Sequence, residues 1–230
     1  MALPSGLAHL VQTALPVCAR HGLVVAGGLA LIAHGFDRGP SRHLDLVTFS
    51  STPAGDIGAA LAVAYTGAGC EVTALPGTPL AAQLEVTPPG DAPHGVQVAK
   101  RPLSRPPVLI GLGLSGAVPV VALEDCAALK VAAVADRAMV RDLVDLYALA
   151  DCFTPGEMLA MAGHLDEDLQ PRLLADRLDK LVQTDDTAYA ARGLDGAAVA
   201  AAKRWAADWA QDIRLDLMEG MEHPDELYDL

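Results

Sequence analysis

The stretch that decides the fold reads Gly27-Gly28-Leu29-Ala30-Leu31-Ile32-Ala33-His34-Gly35 and, after Arg38 and Ser41, continues as His43-Leu44-Asp45-Leu46. Two glycines at the start of an apolar helix let a ligand approach the backbone closely and leave amide N–H groups for an anion such as a triphosphate. Residues 44–49 have strand composition, and positions 43 and 45 of a strand point to the same face. Acids on such a face can hold a divalent metal ion against phosphate oxygens.

Hydrophobic periodicity on both sides of this stretch predicts an α+β protein. An opening helix is expected to end near residues 21–22, and a further helix is expected at residues 57–65. Residues 23–26 are a short apolar run that leads into the glycine pair. Strand composition marks residues 44–49, 71–75, 82–87, 95–99, 107–110 and 118–121, whereas helical spacing marks residues 123–135, 140–150, 155–162, 171–182 and 197–218. We therefore expect a mixed sheet flanked by helices in residues 1–122, followed by a helical bundle in residues 123–230.

Composition and charge limit the classes of partner. The formal net charge is -13, but residues 1–120 hold six basic and six acidic residues, so the excess lies in the second half. Such an acidic body does not attract nucleic acid as a whole, and the basic trio Lys100, Arg101 and Arg105 is read as a solvated loop. Four widely spaced cysteines predict reduced thiols rather than a zinc site or disulfides. With no secretory signal, and with glycines and a proline interrupting the uncharged residues 106–123, we expect a cytoplasmic protein without a membrane span.

A second glycine-rich motif does not indicate a dinucleotide site. Gly111, Gly113 and Gly116 have the spacing of the G-x-G-x-x-G fingerprint. That fingerprint requires a helix at its third glycine, so that helix N-terminal amides meet the pyrophosphate. Residues 117–121 contain three valines and a proline, which favours a strand instead.

Two blocks of sequence together resemble the AbiEii-type nucleotidyltransferase toxins of the polymerase-beta-like superfamily. The first block is the glycine pair, arginine and strand acid of residues 27–46, and the second contains Lys130, Asp136-Arg137 and the run Arg141-Asp142-Leu143-Val144-Asp145. Both blocks occur in the family's order, and together they cover roughly residues 22–150. The resemblance implies a nucleotidyltransferase fold, with the α/β subdomain before residue 123 and the helical subdomain after it.

The resemblance also implies roles for individual residues. Asp45, Lys130 and Asp145 match catalytic positions, and Glu85 is the candidate for a third acid on the strand next to that of Asp45. The metal ligands are expected to be Asp45, Glu85 and His43, and the nucleotide-binding residues are expected to be Gly27, Gly28, Arg38, Ser41, Lys130 and Asp142. These groups are expected to converge on one cleft that binds Mg²⁺ and a nucleoside triphosphate.

His43 is the departure from the family pattern, which has aspartate at this position. A carboxylate offers two hard oxygens, whereas imidazole offers one nitrogen and no negative charge. Magnesium prefers oxygen ligands, so binding of two magnesium ions is expected to be weaker here. Imidazole remains suitable for Mn²⁺ or for a hydrogen bond to phosphate.

Two functional hypotheses follow from the resemblance. In the first, the protein transfers a nucleoside monophosphate from a triphosphate to a tRNA 3′ end or a protein hydroxyl, as the toxin paired with an antitoxin. In the second, the loss of an acid at position 43 leaves a catalytically impaired protein that binds a nucleotide or a protein partner. Without the resemblance, Gly27-Gly28 fits a plain turn equally well, and Lys130, Arg137 and Arg141 fit solvent-facing positions paired with Asp142 and Asp145.

Overall fold

A computed structural model describes residues 3–36 and 42–222 of the chain. Within these residues, one sheet of seven strands forms in the first half of the sequence. The strands are β1 (Val24–Ala26), β2 (His43–Thr48), β3 (Glu71–Ala74), β4 (Ala81–Thr87), β5 (His94–Lys100), β6 (Val108–Gly111) and β7 (Ala117–Val120). The helices interspersed with them are α1 (Ser5–His21), α2 (Gly27–Ala33) and α3 (Ala54–Gly67).

The sheet is mixed, in the order β3-β4-β5-β2-β1-β7-β6. Strand β2 lies antiparallel to β1 and parallel to β5, and β4 lies antiparallel to β5. Strands β6 and β7 form an antiparallel pair in which Gly111 is opposite Ala117. Gly113, at φ +73°, lies in the turn between these strands. The glycine-rich segment is therefore a hairpin, as its strand-like continuation predicted, and opens no helix.

The two faces of the sheet differ in chemistry. One face is apolar and buried, with Leu46 of β2, Val98 of β5 and Leu84 of β4 among its residues, and α1 and α3 pack on these strands. Alternate residues of a strand point to opposite sides, and the residues between these buried ones place polar side chains on the other face. Helix α1 ends at Gly22, whose left-handed conformation returns a hydrogen bond to Cys18. This turn leads directly into β1, the strand that ends at the glycine pair.

The second half of the sequence is helical. Its helices are α4 (Leu123–Arg137), α5 (Val140–Leu149), α6 (Pro155–Leu165), α7 (Pro171–Val182), α8 (Asp186–Ala190) and α9 (Gly196–Glu222). Helix α9 packs along α7 and also contacts α5 and α8. Helix α6 begins with a capping box between Thr154 and Glu157, followed by a proline in the first turn.

The α+β class predicted from the sequence is confirmed. The last described strand ends at Val120, and the described elements from Leu123 onward are all helices. The chain divides into two compact units, Met1–Cys126 and Ala127–Leu230. Among the described elements, the sequence-based prediction identified residues 23–26 as an apolar run but not as strand β1, and it missed the short helix α8. None of the four cysteines, all of which lie in the described residues, forms a disulfide bond, and Cys152 is exposed. In the described part of the chain, no helix combines the length and the apolar character that a membrane crossing needs.

Candidate active site

Gly27 and Asp45 are in direct contact at the junction of β1 and α2. Strand β1 pairs with β2 so that Ala26 is opposite Asp45, which brings the start of α2 to the Asp45 carboxylate. Gly27 has φ +62°, and a Cβ atom built on it would lie 2.1 Å from Oδ2 of Asp45. Only glycine accepts both this backbone conformation and this close approach. The glycine pair is therefore more than a plain turn, because it makes room for the strand acid.

The Asp45 carboxylate has the environment of a ligand-binding group. Asp45 is partly buried, and its side chain makes no hydrogen bond or ion pair with another residue in the ranges 3–36 and 42–222. A partly desolvated carboxylate without a partner costs free energy, so it is retained where a ligand uses it. Of the predicted nucleotide-binding residues, Arg38 and Ser41 fall in the segment 37–41, outside the described residues.

His43 lies on the same strand face as Asp45 and leans over the neighbouring strand. In the parallel pairing of β2 with β5, His43 is opposite Gly95. A Cβ atom on Gly95 would lie 2.6 Å from Cδ2 of His43, so the imidazole occupies the space that a side chain at 95 would fill. His43 itself is exposed to solvent. The expected placement of positions 43 and 45 on one face is confirmed.

The expectation that Glu85 lies on the strand next to Asp45 is wrong. Strand β5 lies between β2 and β4, and Glu85 pairs with Gly95 rather than with a residue of β2. Glu85 is exposed on the same sheet face, two strands away from His43. Because neighbouring strands lie about 4.8 Å apart, this separation is roughly 10 Å between Cα atoms. The residue opposite Asp45 on the true neighbouring strand is Gln97. The role of Glu85 as a metal ligand stays a prediction.

The donor set on this face suits at most one divalent ion. Among the residues that the structure describes, no three His, Cys, Asp or Glu side chains are grouped closely enough to hold a metal ion. Asp45 and His43 supply one carboxylate and one imidazole, and Gln97 is neutral. Magnesium in nucleotide-processing enzymes is commonly held by one or two carboxylates together with phosphate oxygens of the substrate. One ion completed by phosphate oxygens fits these residues, whereas a protein-built pair of ions does not.

In the helical unit, Lys130 lies at the centre of a buried charge cluster. Its Nζ atom is 3.0 Å from Oδ1 of Asp142 and 2.6 Å from Oδ2 of Asp145, both on α5. Lys130 is 7% exposed, Asp142 0% and Asp145 1%. The solvent-facing alternative for this lysine is therefore wrong, although its pairing with the two acids is right. Burial of these charges is tolerated because each has an oppositely charged partner.

Arg137 completes the cluster and was missed as a site residue by the sequence reading. Its Nε and one terminal nitrogen donate to the two oxygens of Asp142 at 2.8 and 3.0 Å. This bidentate contact joins the end of α4 to the first turn of α5. Burial raises the pKa of Asp142, but hydrogen bonds and positive charge from Arg137 and Lys130 outweigh it and hold the pKa below its ordinary value. In the sequence, the signal that pointed to Arg137 was its position five residues before Asp142, between two predicted helical segments.

The predicted site residues thus form two groups, each described within its own unit. Gly27, His43 and Asp45 are brought together in the sheet unit by β1–β2 pairing. Lys130, Asp142 and Asp145 are brought together in the helical unit. That both groups act on one nucleotide stays a prediction.

Comparison with known proteins identifies the family. Residues 61–226, well over half of the chain, match the family model described as nucleotidyl transferase AbiEii toxin, Type IV TA system. Comparison with curated proteins gives no significant match.

Solved structures support the fold. MenT4, a nucleotidyltransferase toxin of Mycobacterium tuberculosis H37Rv, is similar with a TM-score of 0.61 and 20% identity over 90% of this chain and 82% of that chain. JHP933 from Helicobacter pylori is similar with a TM-score of 0.55 and 18% identity over 99% of this chain and 100% of that chain. The family predicted from the two motif blocks is confirmed: this chain belongs to the AbiEii family of nucleotidyltransferase toxins.

Proposed function

We propose that this nucleotidyltransferase transfers a nucleoside monophosphate from a triphosphate to a hydroxyl acceptor, which is a tRNA 3′ end or a protein side chain. The observation that carries the proposal is the Asp45 carboxylate, which contacts Gly27 at the start of α2 and has no hydrogen-bond or ion-pair partner among the described residues. In the reaction the acceptor oxygen bonds to the α-phosphorus, the bond to the β-phosphate oxygen breaks, and pyrophosphate leaves. The acceptor loses one proton.

Gly27 and Gly28 are proposed to bind the phosphates. They open α2, where backbone N–H groups lack partners within the helix and suit an anion. The absence of side chains at both positions lets phosphate oxygens reach these N–H groups. Arg38 and Ser41 are proposed from the family pattern to add contacts to the same phosphates. The contribution of the protein is then mainly positioning and electrostatic stabilisation of the phosphoryl group, as in other phosphoryl transfers.

Asp45 and His43 are proposed to hold one divalent ion together with phosphate oxygens. The ion, Mg²⁺ or Mn²⁺, would stabilise negative charge on the phosphates when bound. Asp45 contributes the carboxylate, and its contact with Gly27 fixes the side chain that points at the ligand. His43 contributes a nitrogen ligand, which suits Mn²⁺ better than Mg²⁺, or a hydrogen bond to phosphate.

Asp145 is proposed to orient the acceptor hydroxyl or take its proton, and Lys130 is proposed to contact the nucleotide. The existing ion pairs within the helical unit restrict both roles. Lys130 already contacts Asp142 and Asp145, so a phosphate would compete with two carboxylates for its ammonium group. Asp142 has both oxygens engaged, which favours a positioning role for this residue over direct nucleotide binding.

The proposal is tested by incubating the purified protein with each labelled triphosphate, Mg²⁺ or Mn²⁺, and either total tRNA or total cell protein. Label transferred to one acceptor class identifies donor and acceptor together. Asp45→Asn is expected to abolish transfer, and Asp56→Asn, an exposed acid on α3, serves as the matched control. Equal transfer by the two variants would exclude Asp45 from the site.

Binding without transfer would instead support the second candidate, a catalytically impaired nucleotide-binding protein. His43 favours that candidate, because it replaces one of the two family acids. Toxicity is tested by induced expression in the bacterial cytoplasm, the proposed location. Growth arrest that depends on Asp45 and is relieved by a cognate antitoxin gene would support the toxin role.

A further inference from the structure

The polar face of the sheet continues beyond Asp45 as a row of neutral amides. Asp45 of β2 is opposite Gln97 of β5, and Gln97 is opposite Gln83 of β4. Residues paired across strands point to the same face, so the three side chains form one row perpendicular to the strands. Gln97 is partly exposed and Gln83 is exposed, so the row is open to solvent.

Neither amide is used by the fold. Within the described ranges, the Gln97 and Gln83 side chains make no hydrogen bond to another residue. The neighbouring positions along each strand, such as Val96, Val98 and Leu84, are buried on the opposite face and supply the packing. A pair of unpartnered amides beside a partnerless carboxylate is therefore available to a ligand.

The chemistry of the row favours a neutral polar ligand. Gln97 stands on the neighbouring strand, where a third metal-binding acid was expected, and carries no charge. On the described strands, the rows that continue beyond His43 and Asp45 contain Glu85 and no lysine or arginine, so this part of the face, away from the proposed phosphate site, offers a phosphate chain no lysine or arginine. A carboxamide offers both a donor and an acceptor, which suits the edge of a nucleobase or a sugar hydroxyl.

We infer that Gln97 contacts the nucleoside part of the donor triphosphate and that Gln83 borders the same subsite. The inference rests on the proposed function, because it takes the phosphates to bind at Gly27 and Asp45. At about 4.8 Å per strand, Gln97 lies one strand from Asp45 and Gln83 lies two. This spacing places the amide row within the length of a nucleotide whose phosphates meet Asp45. Gln97 is thus a substrate-contacting residue that selects for a nucleoside.

The experiment compares binding of nucleoside triphosphates with binding of inorganic tripolyphosphate, which has the phosphates but no nucleoside. Calorimetry is performed on the full chain, its Gln97→Ala and Gln97→Met variants, and Gln83→Ala. Gln97→Met keeps the approximate length of the side chain and removes only its amide, so it tests the amide even if Gln97→Ala folds poorly. Thr73→Val, on the same face but on β3, is the control.

The wild-type protein is expected to bind its preferred triphosphate more tightly than tripolyphosphate. Both Gln97 variants should lose about three- to tenfold in triphosphate affinity, the effect of one neutral hydrogen bond, with tripolyphosphate affinity unchanged. Gln83→Ala should have a smaller effect, and Thr73→Val none.

Three results would overturn the inference. Unchanged triphosphate affinity in both Gln97 variants would remove Gln97 from the subsite while leaving the proposed function intact. Equal losses for triphosphate and tripolyphosphate would show that Gln97 supports the phosphate site or the fold instead. A wild-type protein that binds neither ligand would refute the proposed function itself, and the inference with it.

Discussion

Replacement of Gly27 by alanine perturbs the contact on which the proposed site depends. The added Cβ would lie 2.1 Å from Oδ2, 2.8 Å from Cγ and 2.9 Å from Cβ of Asp45. Cβ atoms do not approach other heavy atoms this closely, so either the carboxylate rotates away or the start of α2 shifts. Gly27 also has φ +62°, which alanine adopts only with strain.

The expected magnitude has two parts. A left-handed conformation costs a non-glycine residue about 1–2 kcal/mol, and this part belongs to the backbone alone. The second part is displacement of Asp45 by on the order of 1 Å. A misplacement of that size can reduce catalysis by about 100-fold. We therefore expect Gly27→Ala to destabilise the protein by about 2 kcal/mol or more and to reduce transfer by about two orders of magnitude.

Gly22 provides a matched control. It has φ +58°, almost the same as Gly27, but a Cβ atom there would meet no atom within 4 Å. Gly22→Ala should therefore show the backbone strain without the collision. Urea unfolding measures the free energy of unfolding of both variants, and the transfer assay measures their activity. Only Gly27→Ala should lose transfer.

A double-mutant cycle separates the two parts directly. In an Asp45→Ala background the carboxylate atoms at 2.1 and 2.8 Å are absent and only the approach to Cβ at 2.9 Å remains, so Gly27→Ala should cost less than it does in the wild-type background. Equal costs of Gly27→Ala in the two backgrounds would refute the steric argument. Wild-type transfer by Gly27→Ala would also refute it.

Three further outcomes are expected. Lys130→Met leaves buried carboxylates without their cation and should lower the free energy of unfolding by about 3–5 kcal/mol, whereas Arg105→Met, at an exposed ion pair with Glu124, should cost less than about 1 kcal/mol in the same urea titration. Because the pKa of Asp142 is lowered in the folded protein, its ionised form stabilises the fold above its ordinary pKa near 4, and this stabilisation is lost as pH falls through the lowered value. Arg137→Gln should raise the pKa of Asp142. Circular dichroism should then show that this variant unfolds in acid at a higher pH than the wild-type protein. His43→Asp should raise Mg²⁺-dependent transfer about tenfold, about 1.4 kcal/mol of transition-state stabilisation; unchanged turnover, metal affinity and nucleotide affinity would place residue 43 outside the site.

Much of the fold is readable from the sequence because local pattern and tertiary role agree. The apolar residues before Gly27 form β1, and the alternation of residues 43–46 places His43 and Asp45 on one face of β2 and the buried Leu44 and Leu46 on the other. Pro171 at the start of α7 marks a helix boundary that the sequence shows directly. Helix α8 was missed because five residues are too few for a periodic signal.

The order of strands in the sheet is not readable in this way. Strand β4 precedes β5 in the chain and has the same alternating pattern, so the sequence does not reveal that β5 lies between β4 and β2. Glu85 was chosen as a neighbour of Asp45 because it is an acid on a strand, whereas adjacency depends on long-range pairing. Gln97 was not predicted as a site residue because an isolated glutamine belongs to no recognisable motif.

The burial of the charge cluster around Lys130 is also determined by the tertiary structure. Lys130 and Asp142 have the spacing and residue types of an exposed ion pair, and nothing local distinguishes the two cases. Helix α5 packs against α7, α8 and α9, and its residues Asp142 and Asp145 are buried in this tertiary structure. The sequence therefore predicts the partners of Lys130 but not their exclusion from water.

Among the described residues, the strand neighbours of Asp45 are not acidic. Three carboxylates within one or two strand spacings repel one another strongly unless a cation balances them. On the described strands the same-strand position is His43 and the cross-strand position is Gln97, so Asp45 has no acidic neighbour there. His43 and Gln97 offer a metal ion fewer carboxylate oxygens than two acids would. The residues that are expected to weaken metal binding by the protein alone are thus also the ones that leave Asp45 without an acidic neighbour on these strands.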